Sequence, residues 1–569
     1  MRAAALASFF LDPMPLFKRL LAWFQPDTSR PLTQAWLAAL WMGLLANWPL
    51  WKQLHSLPGV GLGFMLAFAG MVTAATGAVL SLLAWPRVIK GVLAFLLMAG
   101  AALAYFIGTY GIVFDPTMVT NMVQTDVRET RDLLSWRLLA SLLLLGALPA
   151  GWLLRRPRAP AQDVARRLGG NLASFSLAVV AMVLLALSVF ATLSSTMRNQ
   201  KSLRYMVTPL NAVYSVSAVA ARSLAGPKGP PAVLGADAHL LPRADGGKPP
   251  LLLLVVGETA RAMNFSLNGY ARPTNPELAK LPVTSLFSLR QVTSCGTATA
   301  ASLPCMFAPQ GRSAFDADKP QENLLDVLQR AGLAVLWLDN QSGCKGLCDR
   351  VPHSFTAKLP EGAAPMPAGL CSGEECFDEA LLHELDKRIA ALDAQRLQRG
   401  LVLVMHQMGS HGPAYFKRSP PDLKPFQPEC RSNELQQCPR EQVVNGYDNT
   451  LVTTDRLLAR SIAWLQAQAT HFDTGMLYVS DHGESLGENG LYLHGMPYAL
   501  APREQTHVPM ILWLPEGGAL AASLKPGCLA GLRDKPASHD NLFHTAMGWV
   551  GARADVYRPE WDLLAGCRR

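Results

Sequence analysis

LLLLVVGE (residues 251–258) decides how the second half of this chain folds: six apolar residues in an unbroken row, then a glycine and a carboxylate. A strand with one wet face alternates polar and apolar side chains, so a short continuous run belongs where both faces are covered, as in a parallel sheet flanked by helices. LAVLWL (333–338), LVLVM (401–405) and MLYVS (476–480) repeat the pattern, with helical stretches such as QENLLDVLQRAG (321–332) and DEALLHELDKRIAAL (378–392) between them. The expected fold is an α/β sandwich with a mostly parallel central sheet. Polar residues follow the runs: Glu258 after the first, HQMGSHGP (406–413) after the third, DHGES (481–485) after the fourth. The carboxyl ends of such strands are where α/β folds collect ligands.

The first two hundred residues have a different composition. Half of the 569 residues are hydrophobic and only 16% are charged, and the imbalance concentrates in residues 35–51, 60–85, 91–113, 138–154 and 172–193, which hold no Asp, Glu, Lys or Arg. At about 1.5 Å per residue these runs can cross a hydrocarbon layer of about 30 Å, the shorter ones with help from interfacial flanks. Five spans are expected. Arginines and lysines alternate between the loops: Arg2, Lys18, Arg19 and Arg30 precede the first span, Arg87 and Lys90 join the second to the third, and Arg155, Arg156, Arg158, Arg166 and Arg167 join the fourth to the fifth. The positive-inside rule then makes the N-terminus cytoplasmic and exports everything after Leu193. Buried helices of a soluble enzyme would not sort their arginines this way, and ALASFFLDPMPLF (5–17), broken by Asp12 and two prolines, does not read as a cleaved signal peptide. The net charge of +9 is largely a topology signal, so no nucleic-acid partner is expected.

Cysteine placement tests that orientation. All ten cysteines follow the last span, eight of them as close neighbours (295/305, 344/348, 371/376, 430/438) with Cys528 and Cys567 left over. An even number confined to an exported half favours disulfides over zinc binding by Cys344 and Cys348, although spacing does not dictate pairing. Residues 226–250 are rich in Gly and Pro and read as a linker, after an amphipathic stretch at 197–211 suited to a membrane surface. The domains expected are a 1–30 extension, a 31–196 transmembrane domain with an exported loop near 114–136, a 197–248 linker with a surface helix, and a 249–569 catalytic domain.

Glu258, Asp481 and His482 offer two carboxylates and an imidazole, a set suited to a divalent cation, with zinc favoured by the mixed oxygen and nitrogen donors. A hydroxyl completing the site would become a nucleophile without a dedicated base. Thr299, inside TSCGTATAASLPC (293–305), is the candidate, at the start of a helix whose free N–H groups suit a phosphate. A threonine there is equally a helix cap, and DHG is equally a plain turn. In the exported loop TNMVQTDVRET (120–130), Asn121, Thr125 and Glu129 recur at four-residue intervals and would share one face of a helix. That face is either solvated or placed to meet an ammonium-bearing headgroup.

VVGETAR (255–261), SCGTATAASLPCMF (294–307), DNQSGCKGLCDR (339–350), HQMGSHGP, YDNT (447–450) and VSDHGESLGENGLYLHG (479–495) together resemble the lipid A phosphoethanolamine transferases, inner-membrane members of the alkaline phosphatase superfamily that include polymyxin-resistance enzymes. The resemblance runs from about residue 31 to the end and leaves the first thirty residues without a role. It implies an alkaline phosphatase-like catalytic domain in the Gram-negative periplasm, phosphatidylethanolamine as donor, lipid A or lipooligosaccharide as acceptor, and a monomer. It implies that Thr299 carries the phosphoethanolamine and that Glu258, Thr299, Asp481 and His482 bind zinc. His411 and His494 correspond to substrate-binding histidines that hold a second metal in some states. Ser342 and Lys345 match positions near the phosphate, and Asn121, Thr125 and Glu129 match positions that bind the headgroup. His406 and His539 match no catalytic motif and are left structural.

Rival readings are a sibling acting on core sugars or another periplasmic glycan, a membrane-tethered phosphodiesterase or sulfatase using water, and a lipid carrier without covalent chemistry. The last needs no metal-held threonine and usually places polar groups inside its spans, which are scarce here.

Overall fold

The computed structural model describes residues 27–125, 127–157, 163–226, 229–243, 247–359, 362–373 and 375–569, leaving aside the side chains of 127–129 and 225. Nearly all of the expected 1–30 extension, with Arg2, Lys18 and Arg19, lies outside the described residues, as does Arg158. The chain divides into two compact units, one formed up to Gly108 and by Trp136–Val213, the other by Thr109–Ser135 and Tyr214–Arg569.

In the first unit, four helices among the described residues are long and apolar enough to cross a membrane: Leu62–Leu82, Ile89–Tyr110, Trp136–Leu154 and Val164–Ser188. Leu66, Leu177, Leu184 and Leu187 stand 61–71% exposed on them, a disposition that suits lipid and would be an aggregation liability in water. Small and hydroxylated residues let the helices approach. Gly77 leaves room for the Trp36 ring, whose Nε1 donates to Ser174 Oγ at 3.0 Å, and Ser81 Oγ lies 2.9 Å from the same oxygen; such contacts are the usual glue where lipid removes the hydrophobic drive. The first of the five expected spans is not one long helix. It is a shorter apolar helix, Pro31–Ala46, followed by a second, Trp48–His55. Pro49 lacks the N–H that would continue the ladder, and the Asn47 side chain is committed to Met42 O at 2.8 Å and to the Thr208 N–H at 2.9 Å.

The second unit is built on eight strands: β1 (Pro250–Gly257), β2 (Leu286–Thr293), β3 (Ala334–Asp339), β4 (His353–Phe355), β5 (Leu401–His406), β6 (Asp473–Ser480), β7 (His507–Trp513) and β8 (Ala537–Ser538). Their order is 8-2-7-6-1-5-3-4. All run parallel except β7, which is antiparallel to both neighbours. The continuous apolar runs are explained by two cores. Leu252, Leu254 and Val256 of β1 face one, together with Leu324 and Phe543; Leu251, Leu253 and Val255 face the other, together with Leu451, Leu458 and Ile462 of the long helix Arg440–Gln468. All ten cysteines are paired as 295–305, 344–348, 371–376, 430–438 and 528–567, which removes zinc binding by Cys344 and Cys348.

Two expected helices are broken. Residues 378–392 form a 3-10 turn, Asp378–Leu382, and a helix, Leu385–Ala390, separated where Glu384 takes a positive φ of 49°. Asp378 is drawn out of helical duty because its carboxylate accepts the N–H groups of Met408 and Gly409, at 2.7 and 2.9 Å. Residues 120–130 do not form one helix either: Pro116–Gln124 ends at Thr125, whose backbone is extended, and Val127–Asp132 begins anew. Thr125 Oγ1 donates to Asn121 O at 2.8 Å, taking the carbonyl that the next turn would use. Asn121, Thr125 and Glu129 therefore do not share one continuous helical face, and the Glu129 side chain lies outside the described residues.

Candidate active site

Strands β6, β1, β5 and β3 are neighbours, and their carboxyl ends deliver the site. Glu258 follows β1, Asp481 and His482 follow β6, the loop to His411 follows β5, and Gln341, Ser342 and Lys345 follow β3. The backbone is pressed into place at these ends. Thr259 takes a φ of +55°, held by its carbonyl accepting from Tyr447 OH at 2.8 Å. Gly409, at φ +52°, lies so close to Glu258 that a Cβ there would stand 2.7 Å from the Glu258 carbonyl oxygen.

Glu258, Asp481 and His482 are fully buried and Thr299 is 5% exposed. Thr299, the first residue of the helix Thr299–Met306, donates its hydroxyl to Glu258 Oε2 at 3.0 Å and lies 3.4 Å from His482 Nε2. The same Nε2 is 3.4 Å from Glu258 Oε1 and 3.3 Å from Asp481 Oδ2, and among the described residues neither of those oxygens accepts a hydrogen bond. His482 Nδ1 donates to Gly483 O at 2.9 Å, so in the neutral ring Nε2 presents a lone pair to two carboxylates. Such a cluster needs a positive charge at its centre. In the protein alone that charge is a proton: burial opposes it, but Asp481 and Glu258 outweigh burial and push His482 up to about 10. Burial and the Glu258 charge raise Asp481. For Glu258, burial is outweighed by the adjacent His482 imidazole and by the charges of His411 and His494, and its carboxyl falls below the usual range. A divalent cation satisfies the same donors with the imidazole neutral, and the two orphaned carboxylate oxygens, one imidazole nitrogen and one hydroxyl fit it.

The helix bearing Thr299 is fastened from behind. The Cys295 N–H donates to His539 Nδ1 at 3.0 Å, and His539 Nε2 donates to Ser480 O at 2.9 Å; burial keeps this imidazole neutral, pushed down to about 4. Ser302 donates to the Asp481 carbonyl. His406, buried on β5, pairs with Asp339 at 3.0 Å.

Around the centre, Lys345 Nζ donates to Ser342 Oγ at 2.8 Å and to Gln124 O at 3.2 Å. Gln341 joins this group to the centre: its Nε2 donates to Glu258 Oε2 at 3.2 Å, and its Oε1 accepts from Ser342 Oγ. The His494 ring lies tilted 4.4 Å from the His482 ring and edge-on 5.4 Å from His411, and its Nδ1 lies 3.1 Å from Glu484 Oε2. Glu484 is fully buried, and burial lifts its carboxyl to about 8. Gln341 and Glu484 were not singled out from the sequence; their one signal was standing beside chosen residues at a strand end. Asn121 and Thr125 belong to the segment whose helix, Pro116–Gln124, packs beside the helix Thr299–Met306.

Two family models match, Sulfatase over residues 250–552 and Phosphoethanolamine transferase EptA/EptB over 72–224. Phosphoethanolamine transferase EptA of Salmonella typhimurium is 40% identical over 553 residues, 94% of this chain and 97% of the relative. The chain belongs to the phosphoethanolamine transferase family. Phosphatidylethanolamine transferase Mcr-1 of Escherichia coli is 39% identical over 502 residues, 86% of this chain and 91% of its own. Among solved structures, the integral membrane protein lipooligosaccharide phosphoethanolamine transferase A (EptA) from Neisseria meningitidis superposes with a TM-score of 0.87 at 32% identity, covering 94% of this chain and 98% of that one. Membership of this transferase family accounts for the helical unit and the alkaline phosphatase-like unit occurring in one chain.

Proposed function

We propose that the chain transfers phosphoethanolamine from phosphatidylethanolamine to a phosphate of lipid A or lipooligosaccharide, through an intermediate on Thr299. The observation that carries this reading is the Thr299 hydroxyl, 3.0 Å from Glu258 Oε2 and 3.4 Å from His482 Nε2, in a buried cluster with two oxygens that lack partners. Glu258, Thr299, Asp481 and His482 would hold one zinc ion, which favours the deprotonated hydroxyl and offsets phosphoryl charge. In the first step Thr299 Oγ1 bonds to the phosphorus as the bond to the glycerol oxygen breaks. Diacylglycerol leaves with a proton that balances the one Thr299 gives up. In the second step an acceptor phosphate oxygen bonds to the same phosphorus and Thr299 is released. Lys345 and Ser342 neutralise and orient the phosphoryl oxygens, where such transfers gain most of their rate. His411 and His494 bind the phosphate or, in some states, a second metal. Asn121, Thr125 and Glu129 meet the ethanolamine end, Glu129 pairing with its ammonium.

The chain would cross the Gram-negative inner membrane five times, the shorter helix Pro31–Ala46 being the first crossing, and act as a monomer with its α/β unit in the periplasm. Support comes from the five disulfides, all in that unit, and from the alternation of basic loops. The added ammonium lowers the negative charge that attracts cationic polymyxins. Mass spectrometry of lipid A from cells with and without this chain tests the reading. An added phosphoethanolamine is expected; its appearance on core sugars instead would favour the sibling activity, and its absence from both would overturn the proposal.

A further inference from the structure

The segment Thr109–Ser135 and the loop that carries His411 meet at one buried ion pair. Asp132 has a side chain 2% exposed and accepts from Arg418 Nη2 at 2.9 Å and from Lys417 Nζ. Its carbonyl accepts from Asn433 Nδ2 at 2.6 Å. Arg418, 6% exposed, sends its remaining Nε to the His411 carbonyl at 3.1 Å, and its Nη1 lies 3.8 Å from Glu375. Eight residues before Asp132, Lys345 Nζ reaches Gln124 O. Two of the segment's fastenings, at Gln124 and Asp132, are thus made by side chains that also serve the phosphate-binding groups. A buried ion pair is weak evidence for stability, and its best-attested use is to fix register.

We propose that Asp132, acting through Arg418, is a positioning residue that sets the separation between the headgroup-binding residues of the segment and His411. The inference rests on the function proposed above. The ammonium and phosphate of one ethanolamine headgroup are two carbons apart, so groups that grip both ends must be held at one spacing; a displacement of about 1 Å can cost about a hundredfold in rate. A soluble phosphodiester without an ammonium makes no such demand.

Full-length zinc-loaded protein in vesicles of graded phosphatidylethanolamine content, and on bis-p-nitrophenyl phosphate, separates the possibilities. Asp132→Asn, which keeps the side chain's size, is expected to raise the KM for the lipid by about tenfold to a hundredfold while cleaving the soluble diester at close to the parental rate. Lys417→Met, which leaves the Arg418 link intact, should raise the KM far less. An unchanged lipid KM in Asp132→Asn, equal losses on both substrates, or an equal effect from Lys417→Met each overturns the positioning role. A parent protein that cleaves the diester but transfers nothing from the lipid overturns the proposed function, and this inference with it.

Discussion

Gly409→Ala alters no side chain that would contact substrate, yet it should cripple the metal centre. The new Cβ would stand 2.7 Å from Glu258 O, 3.0 Å from Glu258 N and 3.1 Å from Glu258 Cβ, all at a φ of +52°. The left-handed backbone costs alanine about 1–3 kcal/mol, and forcing a methyl against backbone costs about 1–3 kcal/mol more. The neighbour that must yield is Glu258 itself, because the Ser410 N–H is bonded to its carbonyl at 3.0 Å and fixes the loop from the other side. If even about 2 kcal/mol is relieved by displacing that ligand, zinc affinity falls about thirtyfold. Gly517→Ala is the control: its φ is +80° but nothing lies within 4 Å, so it carries the backbone cost without the clash. Chelator competition on the two purified variants reads the difference. Equal zinc affinity in Gly409→Ala and Gly517→Ala would refute the claim that this close approach aligns the centre.

Three further predictions follow from the same geometry. The His482 pKa in the metal-free protein is raised to about 10 from 6.5, so its stabilisation is present at low and neutral pH and is lost as pH rises through about 10; zinc must displace that proton, and calorimetry in buffers of different ionisation enthalpy should find at least about one proton released per zinc at neutral pH. No release would mean that His482 is not protonated before it binds. Glu129→Ala should impair transfer from phosphatidylethanolamine in membranes, whereas the detached domain from about residue 249, which lacks Glu129, should still cleave a small soluble phosphoester; full transfer by the variant at limiting donor would make that residue a solvated one. Reporter fusions after Leu193 should be active only in the periplasm and fusions near Arg156 only in the cytoplasm, and the reverse pattern would invert the topology.

What the sequence disclosed was what depends on composition and short-range order. Leu251 to Val256 had to be covered on both faces, and two cores cover them; the cysteines, confined to one half, pair there. Strand β7 carries a weaker signal because Pro509 interrupts its apolar run, and the pairing register shifts at that point, as expected where a ladder N–H is missing. β2 reads less plainly because Ser288, Arg290 and Gln291 break the apolar run of LFSLRQVT. The helix expected at 378–392 failed where Asp378 found a better partner on the β5 loop, and a single helix over 120–130 is broken at Thr125, whose backbone is extended. The continuous helix expected at 35–51 is interrupted at Asn47 and Pro49. Within the site, Glu258, Asp481 and His482 stand out because they follow directly on strand ends. Gln341 matters through a contact made across the sheet edge with Glu258, for which spacing along the chain carries no signal, and Glu484 through one with His494 in the loop that follows its own strand.

The central claim is that Thr299 carries the transferred group, and the most direct measurement is to look for it there. Zinc-loaded protein mixed with phosphatidylethanolamine and no acceptor, quenched in acid and digested, should yield the peptide spanning residues 295–305 with a phosphoethanolamine adduct on Thr299. The adduct should be lost on adding lipid A and absent from a folded Thr299→Ala protein that no longer transfers. An adduct on another residue, or sustained transfer by Thr299→Ala, would contradict the account.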